Sequence, residues 1–175
     1  MAKQSSSSAA LPVAHLALRG TIGLNWLMGV AILILLAVSP NERWIISAFK
    51  LSPSPDAHRV ILALRAIAVL GLAAIPLNFF VLRRLLAIVE TVRQGAPFVA
   101  ANAARLQAIA WSLLVLQLLS MIIGAIARAV STPAHPLHLD AGFSITGWLA
   151  VLLTFLLAGV FAEGTRMRDD LEGTV

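Results

Sequence analysis

The sequence predicts an all-α fold: a polytopic integral membrane protein, four spanning helices in a compact bundle with both termini cytoplasmic. Three observations predict it. Of the 175 residues, 59% are hydrophobic and only 12% are charged, against roughly 25% charged in a soluble domain. The apolar residues gather into four runs, 20–38, 60–82, 106–130 and 143–161; the first and last hold no charge and the middle two hold one arginine each. The other basic residues fall between runs, where aqueous connections belong. Cysteine is absent, which removes disulfides, thiolate zinc sites and lipidation on cysteine.

Residues 1–19 open with Met-Ala-Lys-Gln and four serines and are read as a flexible cytoplasmic tail. Residues 20–38 form the first span, since nineteen residues at about 1.5 Å each cover roughly 28 Å, close to the hydrocarbon thickness. Ala37-Val38-Ser39 has the small-x-small form of a signal-peptide cleavage site, but the apolar run is longer than the core of such a peptide. Pro40, Pro53 and Pro55 then bracket a short interfacial segment. The second helix, 60–82, holds Arg65 near its outer end, where it can snorkel, and Pro76, tolerated where neighbours satisfy the freed carbonyl. Past it, Leu85, Leu86, Val89 and Val92 recur at helical spacing with Glu90 and Arg93 between them. The helix therefore runs on as an amphipathic extension into a central cytoplasmic connector, 83–105, until Gly95 and Pro97 stop it. The third helix is 106–130, with Arg128 near its outer end. A loop with Pro133 and Pro136 leads to the fourth, 143–161, and residues 162–175 form a polar cytoplasmic tail.

Orientation follows from the basic residues. With both ends inside, the inner segments hold Lys3, Arg19, Arg83, Arg84, Arg93, Arg105, Arg166 and Arg168, and the outer loops only Arg43, Lys50 and Arg59; eight against three favours this arrangement. Trp26 and Trp111 then fall toward the inner interface and Trp44 and Trp148 toward the outer one, as an aromatic belt requires. Each helix also carries small or amide residues on a face that can meet another helix: Asn25 with Gly29; Gly71, Ala74 and Asn78; Gln117, Ser120, Gly124 and Arg128; Gly147, Thr154 and Ala158. The same faces are available for a homo-oligomer.

The net charge of +5 is scattered between apolar runs, which points to anionic lipid headgroups and to no direct contact with nucleic acid. His135, His138 and Asp140, with His58 and Asp56, are the residues suited to a transition metal. Their spacing is not the helical i, i+4 pair of a zinc protease, so they are read as a solvated loop and no metal or cofactor is assigned. Arg65 and Arg128 are read as snorkelling or pairing with Glu42, Asp56 or Asp140. No acid lies inside a span, which argues against a proton relay. There is no GxSxG, P-loop, HExxH or Gly-rich dinucleotide motif, so an enzyme is not expected.

Two stretches carry a resemblance. Val92-Arg93-Gln94-Gly95-Ala96-Pro97-Phe98, followed by Asn102, Arg105 and Leu106, and the ending Phe161-Ala162-Glu163-Gly164 with Arg166, Asp169, Asp170 and Glu172, resemble the paired signatures of a bacterial membrane family, domain of unknown function 2975. Val99-Ala100-Ala101 is less polar than the family pattern, so no helix cap is assigned there. The resemblance implies four spanning helices in the bacterial inner membrane and no established activity. Members are often encoded beside a small helix-turn-helix regulator, which implies a non-enzymatic protein docking or sequestering such a partner on its cytoplasmic face. There Arg93 and Arg105 can oppose Glu163, Asp169, Asp170 and Glu172. The alternative from the polar helix faces is a small transporter or an oligomeric pore.

Overall fold

The computed structural model describes residues 5–40, 55–131 and 141–172. These form four helices in chain order: α1 Ser5–Val38, α2 Pro55–Arg93, α3 Ala100–Val130 and α4 Ile145–Glu172. Among the described residues the fold is all-helical, and each helix is long and apolar enough to cross a membrane.

Every helix is longer than its apolar run. Residues 5–19, expected as a flexible tail, continue α1, and the expected polar tail is helical as far as Glu172. The reason is that helix hydrogen bonding does not stop where lipid does. From Ala14 to Leu18 the chain is rich in alanine and leucine, the strongest helix formers, Gly20 costs only about 1 kcal/mol inside a helix, and Pro12, at about 3 kcal/mol, is the costliest residue this extension carries. Residues 162–172 contain one glycine and no proline. α2 starts on Pro55, a residue suited to the first helical turn. Ser144 caps α4, its Oγ accepting the Gly147 N–H at 3.1 Å.

The extensive contacts are between chain neighbours: α1 on α2, α2 on α3, α3 on α4. Small residues permit close approach of α1 to α2 and of α3 to α4 and the segment before it. A Cβ at Gly29 would stand 3.2 Å from the Ile75 side chain, and one at Gly124 would meet the Ala141 backbone and the Gly142 Cα, the latter at 2.7 Å. Asn25 donates to the Ile75 carbonyl at 3.1 Å, next to Pro76 but not to the Leu72 carbonyl that the proline frees. Gln117 donates to the Gly142 carbonyl at 3.4 Å and Ser120 Oγ accepts the Gly142 N–H at 3.2 Å, so α3 holds the segment that leads into α4. Asn78, expected on a face that meets another helix, donates to the Ala74 carbonyl within its own helix, as Thr154 does to the Ala150 carbonyl. Arg65 donates to the Ser39 carbonyl at 2.6 Å, placing its charge at the negative end of α1. Within the apolar runs the outward faces are apolar, with Leu27, Leu33, Leu152 and Leu156 more than half exposed. In water such surface would aggregate; facing lipid it is the ordinary condition of a multi-pass membrane protein.

Candidate functional site at the signature joint

The two signature segments meet at one end of the fold, where α2 turns into α3 and α4 emerges. The turn begins with Gly95, whose φ of 77° is left-handed and costs glycine little. The Gly95 N–H bonds the Val92 carbonyl at 3.1 Å and the Ala96 N–H the Thr91 carbonyl at 3.0 Å, the paired bonds of a Schellman helix end. Pro97 follows, where the chain cannot resume a helix. Val99 precedes α3 in extended conformation and supplies no side-chain cap.

Asn102 locks this turn. It is fully buried, and its amide nitrogen donates to Thr91 Oγ1 at 2.7 Å and to the Pro97 carbonyl at 2.9 Å. Its oxygen accepts from Arg105 at 2.8 Å. Thr91 in turn donates to the Ile88 carbonyl at 2.7 Å. Both amide donors and the amide acceptor are therefore used, the condition for placing an amide in a core without destabilising it. Arg105 Nη1 also reaches the Ala87 carbonyl at 3.4 Å, so one guanidinium nitrogen ties α3 to α2.

α4 joins through Phe98. Its ring lies on Gly164, where an added Cβ would stand 2.9 Å from Cδ1, and 5.4 Å from the Phe161 ring. The Phe98 carbonyl accepts from Arg168 at 3.3 Å. Ring, glycine and guanidinium together hold the emerging part of α4 against the turn.

The expected opposition of Arg93 and Arg105 to acids on α4 takes another form. Arg93 pairs with Glu90 one turn earlier on α2 at 3.0 Å, and Glu90 also accepts from Gln94 at 3.2 Å. Arg105 is held by Asn102 and Ala87. Partners one turn away need no ordering of a second helix, which favours them over the acids of α4. Glu163 and Arg166 face each other along α4 at 3.7 Å, both largely exposed. Asp169 and Asp170 are exposed and Glu172 ends the helix. The turn and the joint thus bring together Gly95, Pro97, Phe98, Asn102, Arg105 and Gly164, while Arg93, Glu163, Arg166, Asp169, Asp170 and Glu172 sit on the two outer helix ends. Sequence reasoning missed Thr91 and Ala87, whose roles depend on where the Gly95 turn returns the chain.

Of the possible metal residues, Asp140, His135 and His138 lie outside the described residues, as does the Asp56 side chain; among the described residues no cluster could hold a metal ion. Glu42, expected with Asp56 and Asp140 as a possible partner of Arg65 or Arg128, also lies outside them, as does Trp44.

No match was found among curated proteins or solved structures. A family model described as "Protein of unknown function (DUF2975)" matches residues 13–175, a range that takes in both signatures and all the geometry above. The chain belongs to the DUF2975 family.

Proposed function

We propose that this multi-pass membrane protein is a non-enzymatic protein of the bacterial inner membrane, with both termini cytoplasmic, that docks a small helix-turn-helix regulator on the signature joint. The observation supporting this is the grip of Phe98 on Gly164 and of Arg168 on the Phe98 carbonyl. It holds the charged continuation of α4 as an ordered helix, with Glu163, Arg166, Asp169 and Asp170 exposed along it. A surface ordered in advance spares a partner the entropy of ordering it. Its carboxylates suit a partner with basic surface, and DNA-binding regulators carry such surface. The cavity beside Arg65, lined by Ile32, Leu35, Leu36 and other apolar residues apart from Ser39 and Arg65 itself, gives the transporter or pore reading no polar path at that place.

The test is recovery of a small helix-turn-helix regulator, where one is encoded beside the gene, using purified protein in detergent. The full chain is compared with an Asp169→Lys, Asp170→Lys variant and with a chain ending after Gly164. Recovery is expected to fall about tenfold or more in both variants, since reversal of interfacial charges costs several kcal/mol. Equal recovery from all three overturns the docking surface.

A further inference from the structure

A second feature lies one turn from the joint, between α2 and α3. A cavity of about 290 Å³ is lined by Phe80, Arg83, Arg84, Ala87 and Arg105. Three arginines therefore border one hollow, and among the described residues no carboxylate lines it. Among the described residues neither Arg83 nor Arg84 has a carboxylate within ion-pair distance. Mutual repulsion would spread such a cluster unless something held it or an anion entered it.

Two of the three are held. The Arg84 guanidinium lies 4.0 Å from the centre of the Phe80 ring, a cation–π geometry that fixes it in place. Its Nε is buried with no hydrogen-bond partner, so the donors it offers a ligand are those of its terminal nitrogens. Arg105 is fixed through Nη1 by Asn102 and Ala87, which leaves further N–H donors of its planar fork.

Position narrows the ligand. The apolar run of α2 ends at Leu82, so Arg83 and Arg84 stand at the level where hydrocarbon gives way to headgroups. Phe80, one turn deeper, is 39% exposed and offers apolar surface on the lipid side. An anion with an apolar tail meets both requirements, its phosphate oxygens taking the guanidinium forks and its chains lying along the helices. We infer that the hollow between α2 and α3 is a binding site for a phosphate group carried by an anionic phospholipid. Arg83, Arg84 and Arg105 supply the charge and Phe80 forms the wall facing the bilayer. This site does not depend on the docking of a regulator.

The experiment counts lipid retained by the purified full chain after exchange into discs of mixed phosphatidylcholine and phosphatidylglycerol, read by mass spectrometry of the intact complex. Wild type is expected to retain phosphatidylglycerol in preference to phosphatidylcholine. An Arg83→Gln, Arg84→Gln variant should lose that preference by on the order of tenfold, given about 1 kcal/mol for each basic residue near an anionic surface. Arg166→Gln, which removes a charge 81% exposed on α4, should leave it unchanged. Arg83→Gln alone, at an exposed position, carries the test if the double variant does not fold, and should show a smaller loss in the same direction. Millimolar inorganic phosphate, added to wild type, should fail to displace the lipid. Equal retention of the two lipids by wild type, or unchanged preference in the arginine variants, overturns the site. Displacement by phosphate overturns its assignment to lipid.

Discussion

Asn102 is a single amide that decides whether two helices can turn back on each other at this end. It has no exposed surface and three side-chain hydrogen bonds, to Thr91, Pro97 and Arg105. Asn102→Ala would leave the Pro97 carbonyl and Thr91 hydroxyl without that donor and release the Arg105 guanidinium, each at a part-buried position. A loss of about 2–4 kcal/mol is expected, from the usual cost of unsatisfied buried groups. It should be read as a clear drop in melting midpoint in detergent, and an unchanged midpoint would contradict this account. That Asn102 belongs to a signature was legible from the residues. Its partner was not: Thr91 lies eleven positions earlier, and only the left-handed Gly95 turn brings its hydroxyl within reach.

Among the elements, the joint of α4 against the turn depends on the absence of a side chain at Gly164. Gly164→Val would drive methyl groups into the Phe98 ring, and a loss of about 1–3 kcal/mol is expected from such overpacking. In a Phe98→Ala background the same substitution should cost much less, because the obstacle has gone. A double-mutant cycle in detergent measures the difference; equal costs in both backgrounds would mean that Phe98 and Gly164 are not coupled. Helix ends follow the same division between legible and hidden. Gly95 and Pro97 ended α2 where expected, because both act through local backbone sterics. The reach of α1 back to Ser5 and of α4 on to Glu172 was hidden, because spans read from apolar length mark the lipid boundary and not the end of the hydrogen-bonded ladder.

For the whole molecule, the decisive statement is that the α2–α3 turn and the end of α4 share one side. Phe98 against Phe161 at 5.4 Å requires it. Periplasmic-activity reporters fused after residue 95 and after residue 172 should give the same reading, both inactive if that side is cytoplasmic. Opposite readings would be incompatible with four spanning helices. The number of spans was legible because four apolar runs of bilayer length are hard to mistake. Which helix would touch which was not, since small residues occur on all four and contact is settled by pairs such as Gly29 with Ile75.

Because the extensive packing links each helix to its predecessor in the chain, assembly can keep pace with synthesis. A segment leaving the ribosome and entering the bilayer finds its main lasting neighbour already inserted, with no distant loop to close beforehand. The fastening of Phe98 by α4, like the packing of α4 on α3, must wait for the last helix to arrive, so the clasp proposed to dock a regulator would be completed only when translation is nearly finished.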